Sequence, residues 1–200
     1  MTRLAIDDHA ALKWRITDVA PDFELLDAWA LPATGRADEF QDLVDLWANM
    51  DLSRDGGSWA SRMLFNLRAR LGQWFGWDKD TNVLPIPGST EASLRDRLPD
   101  DLPALPIPAD TPSPFRPVFG TQHEWTAELS NSTVHAVLQL GWVPQDDGTF
   151  RGRLGVYVKP RGRFGSLYMS LIAPFRHYVV YPALMRRVDG AWRRRGQMAQ

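Results

Sequence analysis

Apolar and polar residues alternate along most of the stretch from Val118 to Lys159, and a longer apolar stretch begins near Gly165. A period of two is typical of β-strands with one buried face, whereas the later stretch repeats with the 3.6-residue period of a helix. The pattern predicts a meander of antiparallel strands closed by a C-terminal helix. It indicates an α+β scaffold and names no reaction.

Turn residues determine how the first two of these strands are expected to pair. The Ser-Asn-Ser-Thr stretch at 130–133 predicts a hairpin in which Leu129 lies opposite Val134. Continued along the strands, this register places His123 opposite Leu140, as the polar exception on an apolar face. A histidine there is expected either to orient a ligand or to bond to a backbone carbonyl.

The next hairpin has two possible loops. A two-residue loop at 147–148 would turn Arg153 towards the apolar face, whereas a three-residue loop at 146–148 turns Val156 there. Burial of apolar surface favours the three-residue loop. On the opposite face, predicted to be exposed to solvent, it aligns Glu128, His135 and Lys159. His135 is therefore expected at the surface.

Further elements are predicted in the first part of the chain. The alternating residues from Phe23 to Trp29 predict a first strand. Asp38 is a suitable N-cap for an amphipathic helix that should end near Asn49. A second helix is predicted at 58–76, after a glycine-rich turn.

Prolines mark two irregular regions. Residues 85–117 contain nine prolines around a short helical candidate at 89–96. Because proline fixes φ and lacks an N–H donor, this region predicts an extended crossing segment, either a loop packed along the surface or a mobile lid. Prolines at 174 and 182 predict that the C-terminal helix is kinked or split.

The predicted C-terminal helix presents one apolar sector to the sheet, and this sector includes Tyr168 and Phe175. Helical spacing places Arg176 at the margin of the sector and His177 on the far side. Both polar residues are therefore expected to be partly exposed. For each of them, a surface salt bridge is favoured over a functional role.

Composition restricts the classes of function. With 200 residues, 44% of them hydrophobic, the chain predicts a single domain over 1–200 with a basic tail at 189–200. A net charge of -1 argues against a nucleic-acid partner, and zero cysteines exclude disulfides and thiolate chemistry. Acids near the N-terminus do not fit a signal peptide, and Arg176 and His177 argue against a transmembrane segment. A cytoplasmic location is expected.

Motifs for metals and cofactors are missing from the sequence. Its four histidines form no HExxH pair, so no metal site is predicted. The glycines at 152–165 do not open a helix after a strand, as a dinucleotide fingerprint must, and no cofactor is predicted. The basic turn at 161–163 could grip a phosphate or simply be solvated. The arginines around Trp192 could meet an anionic surface or belong to a frayed tail.

Three stretches carry a resemblance to a known family. Asn131–Leu138, Val156–Pro160 and Leu167–His177 resemble a bacterial domain-of-unknown-function family, and the similarity extends to Ser93–Pro99. Relatives of that family look like members of the START-like, helix-grip superfamily, which includes polyketide cyclases and lipid-transfer proteins. The resemblance implies a curved antiparallel sheet that grips the long C-terminal helix, with an apolar cavity between them. It implies no particular activity.

The first functional hypothesis is a small-molecule-binding protein whose cavity takes a lipid-, polyketide- or aromatic-like ligand. Such cavities are mostly apolar and contain few polar groups, and here His123 is the expected polar anchor. The expected ligand-binding residues are Trp125, Leu138, Val156, Tyr168 and Phe175.

Two other classes stay open. An enzyme could use the same cavity for cyclase- or hydratase-like acid–base chemistry. Its catalytic candidates are His123 as acid or base, with Tyr168 or Arg176 stabilising negative charge. A protein-interaction domain would instead have a filled core and a tryptophan-rich partner surface. The sequence predicts no particular ligand or oligomeric state.

Overall fold

The secondary structure is assigned in a computed structural model that describes residues 2–50, 92–107, 115–130, 134–161, 173–174 and 176–198. Its strands are β1 Thr2–Arg3, β2 Glu24–Gly35, β3 Arg116–Gly120, β4 Glu124–Ser130, β5 Val134–Pro144 and β6 Phe150–Pro160. Its α-helices are α1 Ile6–Ala10, α2 Ile16–Val19, α3 Phe40–Ala48 and α4 Tyr181–Met198. Shorter turns are the 3₁₀ turns Ala37–Glu39 and Leu94–Arg97 and a π-helical turn at Arg176–Val180. The helix predicted at 58–76 lies outside the described residues.

The six strands form one curved antiparallel sheet in the order β1-β2-β6-β5-β4-β3. The predicted meander corresponds to β4, β5 and β6, which are neighbours in the sheet. The predicted first strand is β2, which pairs with β6 and so borders the meander. An α+β fold with an antiparallel sheet and a C-terminal helix is therefore confirmed.

The two hairpin registers differ in outcome. The three-residue loop before β6 is confirmed, since Leu138 lies opposite Val156. The register predicted for the preceding hairpin is wrong by two residues, because Leu129 lies opposite Ala136. An even shift leaves every side chain on its predicted face, since strand side chains alternate with a period of two.

Both faces of the sheet are covered. The side that contacts α3 and α4, called here the helix-facing side, carries an apolar core that includes Trp29, Leu140 and Trp142. The opposite side, called the N-terminal side, is covered by residues 14–23 and 94–102. The face of the sheet that the alternating sequence pattern predicts to be polar is therefore buried in this protein.

This second covering layer overturns one prediction. Glu128 and His135 are fully buried on the N-terminal side, so the prediction of a solvent-exposed polar face is wrong at these positions. His135 Nε2 donates to Glu128 Oε2 at 2.8 Å, and Phe23 packs its ring edge-on against His135. Lys159 keeps its predicted place beside His135 and pairs with Asp22 at 2.8 Å.

Two buried carboxylates hold the covering layer on the sheet. Glu124 accepts hydrogen bonds from the backbone amides of Arg15 and Ile16, at 2.7 and 3.1 Å, and thereby caps the start of α2. Glu128 accepts from the amide of Leu94 at 3.0 Å and so holds the 3₁₀ turn at 94–97. Amide donors at the start of a helical turn are suited to carboxylates, which explains how these acids are tolerated inside.

The pKa values of these two carboxylates are shifted in opposite directions. Burial raises the pKa of Glu124 to about 7, against the lowering effect of the amides of Arg15 and Ile16. Burial also acts to raise the pKa of Glu128, but hydrogen bonds from His135, Ser93 and the amide of Leu94 hold that pKa below its ordinary value. The difference follows from the number and kind of donors around each group.

Proline-rich residues continue the sheet at one edge. Pro117 lies in β3, which is an edge strand of the sheet. Proline lacks an N–H donor and is tolerated in an edge strand, which pairs with another strand on one side only. Leu105 donates its backbone N–H to the carbonyl of Val118 at 2.9 Å, and an isolated bridge joins Ala104 to Phe119. This part of the predicted crossing segment therefore packs along β3.

The C-terminal helical region changes geometry where prolines predict an interruption. The π-helical turn passes into α4 at Tyr181, and Pro182 is the second residue of α4. Because proline lacks the N–H that would continue the helical hydrogen bonds, a change of helix geometry at this point is expected. Residues 189–198 continue α4. Trp192 is buried there, and its Nε1 donates to the carbonyl of Thr34 at 3.0 Å.

The last turns of α4 also bond to α3 and the turn before it. Arg195 donates to Glu39 at 2.6 Å and to Asp42, and its guanidinium lies 4.0 Å from the centre of the Trp192 ring. Part of the basic C-terminal cluster is therefore used in intramolecular contacts. Within the described residues, no helix is both long and apolar enough to span a membrane.

Candidate functional site

The strongest polar feature of the helix-facing side begins with an irregularity in β2. Leu25 lies opposite Tyr157 and Asp27 lies opposite Val156, so one extra residue, Leu26, is inserted between them. Such a bulge places two successive side chains on one face. Leu26 and Asp27 therefore both point to the helix-facing side, and Asp27 is fully buried.

Four described side chains donate to this carboxylate. Three of them come from one stretch around the start of α4, and they define with Asp27 what is called here the Asp27 cluster. Arg176 Nε and Tyr181 Oη each lie 2.8 Å from Oδ2, and His177 Nε2 lies 2.6 Å from Oδ1. Arg3 on β1 adds a longer contact of 3.4 Å to Oδ1.

The local helix geometry brings these donors together. The π-helical turn presents Arg176 and His177, which are adjacent in sequence, to the same carboxylate, and Tyr181 follows at the start of α4. Burial raises the pKa of Tyr181, and the negative charge of Asp27 raises it further. The phenol therefore stays protonated and acts as a hydrogen-bond donor to Asp27.

Trp29 forms the aromatic side of the cluster. Its ring lies 4.8 Å from the ring of Tyr181 and 6.3 Å from that of His177, measured between centroids. The His177 and Tyr181 rings are stacked at 5.9 Å. These contacts restrict the rotamers of the donors around Asp27, as a preorganised site requires.

Two buried donors beside Asp27 have no hydrogen-bond partner among the described residues. They are Arg176 Nη1 and Trp29 Nε1. Arg176 is 9% exposed and Trp29 is 4% exposed, so bulk water does not readily satisfy either group. Buried donors are normally paired, so each unpaired donor requires an explanation, and an acceptor supplied by a ligand is one such explanation.

Strand register extends the site across the sheet. From the Asp27 cluster, two rows of paired residues run over four strands along the helix-facing side, a span of about 14 Å at the usual spacing between strands. The rows are Asp27, Val156, Leu138 and Ala127, and next to them Trp29, Leu154, Leu140 and Trp125. An apolar surface thus leads directly to a polar end.

The structure brings together several of the residues expected from the sequence. Val156, Leu138 and Trp125 all lie in these two rows, with Val156 and Trp125 buried and Leu138 partly exposed. Arg176 is buried in the Asp27 cluster, so the expectation of a partly exposed helix margin is wrong for it. Tyr168 and Phe175 lie outside the described residues.

His123 has a different position from the one expected. It is exposed in the turn that precedes β4, where its ring stacks on Phe150 at 5.9 Å. The prediction of an inward-facing His123 opposite Leu140 is therefore wrong. The pairing of Leu140 with Trp125 places His123 level with Trp142, whose backbone N–H donates to the carbonyl of His123 at 2.9 Å, just beyond the last paired residue, Glu124.

Sequence reasoning missed Asp27, Trp29 and Tyr181, and it placed His177 on the far side of the helix. One signal was present: Asp27 is the only charged residue in the otherwise apolar run from Leu25 to Leu31. A lone charge within a buried strand requires partners. The partners themselves lie about 150 positions later and follow a π-helical turn, which helical spacing of 3.6 does not describe.

His9 and Gln139 form a further buried polar pair on the N-terminal side, in addition to Glu124 and the Glu128–His135 pair. His9 Nε2 donates to Gln139 Oε1 at 3.1 Å, above Gly155 in β6. Burial, assisted by the positive charge of Arg153, lowers the pKa of His9 to about 4. Together with Glu124, this group anchors α1 and α2 to the sheet. Among the described residues, no cluster of histidine and acidic side chains is suited to hold a metal ion.

Comparison with known proteins identifies the family of this chain but no activity, ligand or partner. Nothing among the curated proteins or the solved structures matches the chain. One family model matches residues 19–183, which include Asp27, Trp29, Arg176, His177 and Tyr181. The expected membership of an uncharacterised domain family is confirmed, and the chain belongs to the family described as "Protein of unknown function (DUF2867)".

Proposed function

We propose that this protein binds an apolar small molecule between the helix-facing side of its sheet and its C-terminal helical region, with the polar end of the ligand at the Asp27 cluster. The ligand lies along the two rows that contain Val156, Leu138 and Trp125. Lipid-, polyketide- and aromatic-like molecules have the required combination of a large apolar body and few polar atoms.

The observation that carries the proposal is the juxtaposition of the apolar rows with unpaired buried donors. Leu138 and Ala136 lie on β5, in the middle of the sheet, yet both keep some exposed surface. Apolar residues at the centre of a sheet are normally covered completely, so this surface favours a space that a ligand fills. Arg176 Nη1 and Trp29 Nε1 lie at one end of it.

The proposal includes the scaffold. We infer a START-like, helix-grip arrangement in one domain, because a curved antiparallel sheet contacts a C-terminal helix along one side. The covered N-terminal side is an addition to that simple scheme. It leaves the helix-facing side as the side available to a ligand.

Native mass spectrometry of the full chain, purified from its own cells, tests the proposal. A stoichiometric apolar molecule that co-purifies and is identified after extraction would support it. The Leu138→Trp variant places a larger side chain over the middle of the sheet and should lower the fraction of the protein that carries the ligand. Leu12→Trp is the matched control, because Leu12 is exposed near the end of α1 and lies in neither row.

The proposal fails if no apolar molecule co-purifies and if none of 1-dodecanol, dodecanoate, 2-naphthol and 2-naphthoate binds the purified protein. That outcome would favour the class of interaction domains with a filled core. Both variants are first compared with the parent protein by circular dichroism, so that loss of binding is separated from loss of fold.

One observation favours an enzyme as the second candidate. His177 Nε2 donates to Asp27, so Nδ1 of the neutral imidazole is available as a base, and the His177 side chain is 23% exposed. A base oriented by a carboxylate is the usual arrangement for proton transfer. The co-purifying molecule, incubated with the parent protein, would then be recovered changed, and it would be recovered unchanged with His177→Gln.

A further inference from the structure

The charged groups described around Asp27 include more positive than negative ones. Asp27 is the single carboxylate of the Asp27 cluster, whereas two guanidinium groups contact it, that of Arg176 within the cluster and that of Arg3 on β1. Arg3 is half exposed, at 52% of its side-chain surface, so solvent compensates part of its charge. The buried Asp27–Arg176 pair is neutral by itself, so the excess positive charge is that of Arg3. One additional negative charge beside Asp27 would balance this excess.

The arrangement of donors narrows the kind of anion. Arg176 uses Nε to bond Asp27 and leaves Nη1 buried and unpaired, while Trp29, whose ring packs against Tyr181, leaves Nε1 buried and unpaired. Two donors suit the two oxygens of a carboxylate. A phosphate carries more charge and more acceptor oxygens than these two donors satisfy.

We infer that the proposed ligand is a carboxylic acid, bound as the carboxylate, and that Arg176 and Trp29 determine this specificity. The inference rests on the proposed function, because it assigns the polar end of the same ligand. The apolar body then extends from Asp27 past Val156 towards Leu138 along the sheet. An alcohol of the same shape carries no charge, so its hydrogen bonds with Arg176 and Trp29 would be weaker than the charge-assisted hydrogen bonds of a carboxylate.

Matched acid and alcohol pairs test the inference. Dodecanoate is compared with 1-dodecanol, and 2-naphthoate with 2-naphthol, by calorimetric titration of the full chain at neutral pH. Within at least one pair, the acid should bind about ten-fold or more tightly, the range expected for a charge-assisted hydrogen bond in a buried site. Equal binding of acid and alcohol would overturn the inference and leave the proposed function standing.

Two variants assign the preference to residues. Trp29→Phe removes Nε1 and keeps an aromatic ring, so it should weaken binding of the acid more than binding of the alcohol and thereby reduce the preference for the acid. Asp27→Asn/Arg176→Gln removes both charges of the ion pair together, which avoids a buried unpaired carboxylate, and it should abolish the preference. A preference that survives in both variants would overturn the assignment of Arg176 and Trp29.

The remaining outcome concerns both proposals. If neither acid nor alcohol binds in either pair, the ligand-binding function itself is overturned, and the inference falls with it. If the alcohols bind and the acids do not, only the inference falls. The four titrations therefore separate failure of the site from failure of its specificity.

Discussion

Arg176 Nε donates a 2.8 Å hydrogen bond to Oδ2 of Asp27, although the two residues are 149 positions apart in the chain. Asp27 is fully buried and Arg176 nearly so. A complete buried ion pair contributes modestly to stability, whereas removal of one partner leaves an uncompensated charge inside the protein. The pair therefore ties β2 to the π-helical turn and makes folding depend on both residues.

Asp27→Asn should destabilise the protein by about 3 kcal/mol or more, because the Arg176 charge would remain buried without its counter-ion. Chemical denaturation followed by circular dichroism measures the change. The matched control is Asp22→Asn, whose ion pairs with Arg97 and Lys159 lie at the surface. It should cost less than about 1 kcal/mol. Equal losses for the two variants would contradict a special role for Asp27.

Glu124 should make the protein less stable as the pH rises. Its pKa of about 7 in the folded protein is above the ordinary 4.5, so the folded state binds this proton more tightly than the unfolded chain does. The resulting stability is fully present below pH 4.5 and is lost as the pH rises to about 7, a change of about 3 kcal/mol.

The Glu124→Gln variant isolates this effect. The free energy of unfolding of the parent protein minus that of the variant should fall across that window, measured by urea denaturation at several pH values. Glu24→Gln is the control, since Glu24 is an exposed residue of β2 and should leave the profile almost unchanged. A difference that is constant with pH would show that Glu124 does not titrate in this range.

His9 should act in the opposite direction. Its pKa of about 4 in the folded protein is below the ordinary 6.5, so the folded state binds this proton less tightly than the unfolded chain does. The stability is present above pH 6.5 and is lost as the pH falls towards 4. In the parent protein this change opposes that of Glu124 between pH 4.5 and 6.5, so only comparison of variants reveals either one.

For His9→Asn, the free energy of unfolding of the parent protein minus that of the variant should rise by about 3 kcal/mol from pH 4 to 6.5. The same denaturation series measures it. His123→Asn is the control, because His123 is exposed. A falling or flat difference for His9→Asn would refute the burial of an uncharged imidazole at this position.

Gly141→Ala should destabilise the protein by about 1–3 kcal/mol, since a Cβ on Gly141 would collide with the buried Trp14 ring. Gly196→Ala is the comparison, because a Cβ there meets nothing within 4 Å and alanine favours a helix. It should be neutral or stabilising by up to about 1 kcal/mol. Thermal or urea unfolding measures both, and tolerance of Gly141→Ala would mean that Trp14 is free to move away.

Local patterns in the sequence determined the elements and much of their pairing. The two-residue period placed β4, β5 and β6, and the demand for burial of Val156 selected the three-residue loop between β5 and β6. Helical periodicity placed α3. These features depend on neighbouring residues, for which side-chain period and turn chemistry are sufficient.

Tertiary structure alone decided which polar residues are buried and with whom. Alternation separates the two faces of β5 but carries no information about residues 14–23 and 94–102, which cover the face of His135. A single bulge turns Asp27 towards the C-terminal helical region, and a π-helical turn brings Arg176 and His177 to it. Long-range partners of this kind satisfy buried charges by contact in space, which a local period in the sequence does not encode.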